Sequence, residues 1–265
     1  MNLNLFRRSF ADKRNSLAFY AAGVILYSIF ILLIWPSIRN SALSQIWNSY
    51  PENLKKAFGA GINYASFDGF LTLEYLSNIW VIVMAVFSIG TGAASLAGEI
   101  EKGTMEVLLA QPISRRAVVV SRFLYYSTAL LMLIAATLVP IAAGSPIVSG
   151  NISYPGLLAV GLLAFLFFAA IGSYTFMFSA MFNSRGMAVS VAAGVIIFSY
   201  ALNLLAKFND TVNRFNFLTL FNYFDPYRFL HSASIAWGDL AVLAGIIAAC
   251  LAVAVIWFER RDIAV

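Results

Sequence analysis

Residues 98–116, GEIEKGTMEVLLAQPISRR, decide how this chain is read. Glu99, Glu101, Lys102, Glu106, Arg115 and Arg116 fall within nineteen residues, between two long runs that carry almost no charge. Gly103-Thr104 reads as a helix start, with Thr104 as N-cap and Glu106 in the first turn, where a carboxylate complements the helix dipole. Pro112 stops that helix, because proline supplies no N–H to the preceding turn and disfavours a helical residue before it. Residues 104–111 would then span only about 12 Å, with Met105, Leu108 and Leu109 on one face. Ser114 caps the apolar run that follows, and Arg115 and Arg116 sit at its mouth. The result is a short, rigid knob.

Outward from the island the chain is apolar. Of its 265 residues 61% are hydrophobic and 11% are charged, against about a quarter charged in a soluble domain. Such a composition cannot cover a globule with polar groups, so much of the surface must face lipid. Six apolar segments, residues 17–36, 77–97, 117–144, 155–182, 186–206 and 240–258, are long enough to cross a hydrocarbon core of about 30 Å. The fold class is therefore an all-α polytopic membrane protein with six spans, read as a single domain over residues 1–265. These segments hold no Asp, Glu, Lys or His, and Arg122 is their one Arg.

Orientation follows from Lys and Arg. With the N-terminus inside, Arg7, Arg8, Lys13, Arg14, Lys102, Arg115, Arg116, Arg122, Arg185, Arg260 and Arg261 share the inner face, eleven in all, against six outside. Both termini and the island are expected in the cytoplasm. The first segment, about twenty residues of apolar core, exceeds a signal h-region of roughly 7–15 and is read as retained. Before it, Leu3, Phe6 and Phe10 recur at helical spacing with Arg7 and Arg8 between them, the pattern of a short helix (residues 1–16) lying in the cytoplasmic interface.

Outside, residues 37–76 form a long connector with scattered aromatics, and residues 54–61 are a candidate short helix. Residues 207–239 are too polar to span and too aromatic to be free. Phe221, Tyr223 and Phe224 suit short re-entrant or interfacial helices, and Asp225 is placed to cap a helix opening at Pro226.

Several chemistries are excluded. The single Cys250 and single His231 leave no disulfide pair and no Cys/His set for a metal. No G-x-x-x-x-G-K-[ST] loop is present to cradle phosphates. Glu99 and Glu101 lack the surroundings of a catalytic pair, and Arg122 is expected to snorkel or to pair with an acid of the island. An ion-coupled carrier would need ionisable groups at mid-membrane, and a membrane enzyme a nucleophile or paired acids; neither set is found. A non-transporting scaffold or assembly subunit would read almost the same.

The island resembles the signature of permease subunits of type-2 ATP-binding-cassette (ABC) exporters. Those subunits show an acidic residue, Gly-Thr, a Leu pair and Pro-x-Ser/Thr-Arg between the second and third helices. Glu101, Gly103, Thr104, Leu108, Leu109, Pro112, Ser114 and Arg115 match as they stand. The six spans, the N-terminal helix, FNYFDP before the last span and the closing FERRDI are similar too. The resemblance implies that Glu99, Glu101, Lys102, Gly103, Thr104, Met105, Glu106, Leu108, Leu109, Pro112, Ser114 and Arg115 form a coupling segment that docks into a separate nucleotide-binding subunit. The helix of Phe6, Arg7, Arg8 and Phe10 would touch the same subunit. It further implies a non-catalytic chain without cofactors of its own, ATP and magnesium on the partner, and a second permease half, identical or paralogous. The localisation it implies is the cytoplasmic membrane, among lipids, with no nucleic acid partner.

Overall fold

A computed structural model describes residues 3–39, 51, 62–233 and 235–261. Among these the chain is helical throughout, with no strand. Lipid offers backbone groups no hydrogen bonds, so a span must satisfy its own. Six helices are long and apolar enough to cross a membrane: α1 (Leu3–Arg39), α2 (Phe67–Ser95), α5 (Arg115–Gly144), α6 (Tyr154–Met181), α7 (Arg185–Ala206) and α10 (Trp237–Arg260). Between them lie the short helices α3 (Ala97–Glu101), α4 (Thr104–Leu109), α8 (Asp210–Asn213) and α9 (Pro226–Ser232). The chain is thus an all-α, multi-pass membrane protein.

The hub is α6. Gly156, Ala159, Ala164, Ala169, Ala170 and Gly172 keep it slim on several sides, and most of its length is buried. Small residues let neighbouring backbones approach. At Gly172 a Cβ would stand 2.3 Å from the Tyr126 ring, and the Tyr126 hydroxyl donates to the Phe168 carbonyl at 2.6 Å. The spans α1, α7 and α10 pack around the outside and keep large apolar side chains such as Phe19, Ile197, Phe198 and Trp257 exposed, as lipid-facing helices do.

A second polar node ties α1, α2 and α5 together. Tyr75 Oη donates to the Val24 carbonyl at 3.1 Å. Ser28 Oγ lies 3.2 Å from Tyr75 Oη and 3.2 Å from the Thr137 carbonyl. Trp80 Nε1 donates to Thr137 Oγ1 at 2.9 Å.

Two sequence expectations are corrected. The N-terminal segment is not a separate helix: α1 runs unbroken from Leu3 to Arg39. No Gly or Pro stands between Arg14 and Leu17 to stop it, and Phe10 packs edge-on against Tyr125 of α5 at 4.8 Å. The second span starts at Phe67 rather than at residue 77, and it includes Asp68 and Glu74. Hydropathy alone started it too late, because a π-helical stretch, Thr72–Ile79, turns Leu73, Tyr75 and Leu76 inward while Glu74 stays exposed. The candidate helix at residues 54–61 lies outside the described residues.

Candidate functional site: the island at one end of the bundle

The island begins with a broken helix. α2 ends at Ser95, Leu96 leaves helical geometry (φ −122, ψ −63), and α3 restarts at Ala97. One hydroxyl closes the gap. Ser179 Oγ of α6 accepts from Leu96 N at 3.3 Å and from Ala97 N at 2.8 Å, and donates to the Ala93 carbonyl at 3.0 Å.

α3 and α4 are joined at Gly103, whose φ of +69 is left-handed. A residue without Cβ adopts that conformation without strain. Gly103, not Thr104, is the N-cap of α4. The Thr104 hydroxyl reaches backwards instead, donating to Glu99 Oε2 at 2.8 Å and lying 3.1 Å from the Glu99 carbonyl. The cap expectation failed because the left-handed Gly103 takes the cap position and leaves Thr104 as the first helical residue of α4.

The apolar face of α4 also points the other way from what a docking surface needs. Met105 is fully buried and Leu108 is 6% exposed, both inside the main core, and Leu109 packs against it half-buried. The outward surface consists of Glu101, Lys102, Thr104, Glu106, Val107, Ala110, Gln111 and Pro112. Val107, at 70% exposure, is an apolar side chain on this outward surface that sequence reasoning passed over.

The charged residues of the island tie it to four spans. Glu99 Oε1 sits 3.5 Å from Arg122 Nη2 of α5, and Arg122 Nη1 donates to Ser9 Oγ of α1 at 2.9 Å. Arg122 is thus buried and paired, one of the two expected outcomes. Nearby, Lys13 Nζ of α1 stands 5.4 Å over the Tyr125 ring. Glu101 Oε2 accepts from Arg185 N at 2.7 Å, placing a carboxylate at the N-terminus of α7. Ser114 Oγ accepts from Ala117 N, capping α5 as expected.

Arg115 closes the last helix. Its Nη1 donates to the carbonyls of Phe258 at 3.2 Å, Glu259 at 3.4 Å and Arg261. Arg116 Nε pairs with Glu259. Arg261 Nη1 in turn donates to the Ala180 and Phe182 carbonyls at 2.7 and 3.1 Å, ending α6. Three helix ends here receive the charge their dipoles favour: an acid at the N-terminus of α7, arginines at the C-termini of α6 and α10. Ser9, Ser179, Arg185, Glu259 and Arg261 escaped the site prediction. Their signals were present, as polar residues in apolar runs and in the closing FERRD, but pairing is invisible without the fold.

Of the N-terminal residues, Phe6 and Phe10 pack on each other at 5.2 Å and against the core, while Arg7 and Arg8 stay exposed. On the opposite face the aromatic segment folds inward. Phe224 stacks on Phe167 of α6 at 4.2 Å, and Phe221 meets it edge-on at 5.3 Å. Tyr223 Oη donates to the Phe217 carbonyl at 2.8 Å. Asp225 caps α9 by accepting from Arg228 N at 3.1 Å, with Pro226 at the first helical position. Just past the end of α7, Lys207 has its pKa lowered by burial.

Taken together, this face offers no nucleophile–base pair, and no group of three metal-ligating side chains occurs among the described residues. It offers an exposed two-turn knob braced against helices that cross the membrane. Comparison with curated proteins finds no match. The family described as "ABC-2 family transporter protein" matches residues 3–263. The chain belongs to the ABC-2 family of transporter proteins.

Proposed function

We propose that this chain is one permease half of an ATP-driven exporter of the cytoplasmic membrane, with both termini and the island in the cytoplasm. ATP is hydrolysed on separate nucleotide-binding subunits that grip the island, and two permease halves, identical or paralogous, make up the transporter. This chain does no chemistry and carries no cofactor; ATP and magnesium belong to the partner. The observation that carries this reading is the bracing of the exposed knob. Through Glu99–Arg122–Ser9, Glu101–Arg185 and Arg115 with the last carbonyls of α10, a push on α4 is felt by α1, α5, α7 and α10 together.

The mechanism follows from stiffness. α4 is held by its buried Met105 and Leu108, so force on Glu106 or Val107 displaces the knob as a body instead of unwinding it. The break at Leu96 lets the knob tilt while α2 stays in its packing, and Ser179 keeps the two helix ends in register as it does so.

The test is co-purification from native membranes with an ATPase assay of the complex. Glu106→Arg and Val107→Asp, both on the outward face, are expected to lose the ATPase subunit while the chain remains folded. Leu108→Ala would instead report on packing. If no ATPase associates, or both outward variants keep a fully coupled one, the coupling reading fails and a scaffold remains. Transport that needs an ion gradient but no ATP would point to Glu74 and to an ion-coupled carrier.

A further inference from the structure

Between α1 and α2 an open groove of about 330 Å³ faces outward from the bundle. Phe19, Tyr20, Gly23, Tyr27, Val83 and Val86 are among the side chains that line it. It follows α1 from Phe19 to Tyr27, about 12 Å at 1.5 Å per residue. Its floor is Gly23, where an added Cβ would meet nothing within 4 Å. Its walls are rings: Tyr27 and Tyr75 lie 4.9 Å apart, and Tyr20 meets Phe87 at 5.3 Å.

A charge stands beside this apolar groove. Glu74 is exposed on the π-helical stretch, directly before Tyr75, which lines the groove with its ring 4.9 Å from that of Tyr27. Tyr64 Oη donates to Glu74 Oε1 at 2.6 Å. No Lys or Arg among the described residues pairs with it. The neighbouring Tyr75 reaches Val24 and Ser28, which sets this stretch level with the middle of the apolar part of α1. A carboxylate at that depth is costly unless a partner is supplied, and π-helical turns recur at functional sites. Among the described residues no three-ligand metal cluster surrounds it, and the aromatic faces beside it suit a single organic cation.

We propose that the α1–α2 groove binds hydrophobic organic cations, a single ammonium-type charge at Glu74 between tyrosine rings and an alkyl or aryl body along Phe19–Val86. Aromatic faces attract such cations, and the carboxylate sets the sign of charge accepted. Binding stands on the groove itself; that the bound cation is cargo rests on the permease reading.

The test uses the full chain in lipid nanodiscs and a photoreactive decyltrimethylammonium, with the decyl alcohol and decyl sulfate analogues beside it. The expected result is saturable ammonium labelling of groove residues on α1 and α2, competed by unlabelled ammonium and absent with the other two. Glu74→Gln should weaken it by about tenfold or more, the loss of one charge-assisted contact, and Glu74→Asp should restore part of it. Gly23→Phe, which fills the floor with the carboxylate intact, should abolish it. Equal labelling by the alcohol, no labelling, full binding by Glu74→Gln or retention in Gly23→Phe each overturns the proposal. Binding without an associated ATPase would sink the permease reading and leave the groove standing; the converse would do the opposite.

Discussion

At the island end of the bundle three helix termini are held by charged side chains, whereas at the outer end rings and backbone caps hold the chain. Arg115, Arg261 and Glu101 each close a helix they do not belong to. Phe221 and Phe224 instead press onto Phe167, and the outer cap Asp225 serves its own helix, α9. Of the side-chain pairs at this end among the described residues, Arg228–Asp239 is long, at 3.9 Å, and exposed. His231 Nδ1 meets Asp68 Oδ2 at 2.6 Å, one short tie against the several of the island. Charged ties are directional and re-formable, and they answer to a partner's charges. Ring stacks are non-directional and indifferent to salt. A device that must shift under an outside force wants the first kind where the force enters and the second where the fold must stay shut.

The strongest attempt to break this comparison is Arg122→Met. It leaves the part-exposed Glu99 carboxylate with Thr104 as its partner and is expected to cost about 3 kcal/mol, the low end for removing one partner of a buried pair. Unfolding midpoints in detergent measure it. Phe224→Ala should cost about 3 kcal/mol through the cavity it opens against Phe167, and its midpoint shift should not change between low and high salt. The two sites share no contacts, so their double variant should be additive within about 0.5 kcal/mol. A larger coupling would mean that the two ends communicate in the resting state.

Smaller effects sharpen the picture. Arg115→Gln removes a charged donor from the end of α10 and is expected to cost about 1–2 kcal/mol. Faster hydrogen exchange should appear in the last turn of α10, with the outer segment unchanged. Asp225→Ala should cost about 1 kcal/mol, the usual worth of an N-cap, and should free the first turn of α9 to exchange. Arg116→Ala removes only a solvent-exposed partner of Glu259 and should leave the midpoint where it was.

Spans were legible in the sequence because lipid imposes a length and a composition that no tertiary contact overrides. Caps were legible where the cap bonds its own helix: Ser114 and Asp225 fall where their residue types predict. Thr104 shows the limit, since the left-handed Gly103 takes the cap position and leaves Thr104 as the first helical residue, its hydroxyl donating back to Glu99. Met105 and Leu108 show another. A hydrophobic face was visible, but whether it turns to the bundle or to a partner depends on how α3 and α4 are hinged at Gly103. Glu74 was missed for a third reason: a π-helical register does not follow the periodicity on which span ends are drawn.

The unbroken course of α1 has a mechanical consequence. A helix of 37 residues is about 55 Å long at 1.5 Å per residue, against a hydrocarbon core of about 30 Å. The node at Ser28 clamps it to α2 and α5 and serves as a fulcrum. Arg8, twenty residues away, ends a lever arm of about 30 Å. A tilt of roughly 5° about that fulcrum would sweep Arg8 through about 2.5 Å at that arm length. Small rotations inside the membrane thus become displacements at the tip large enough for a spin label to read.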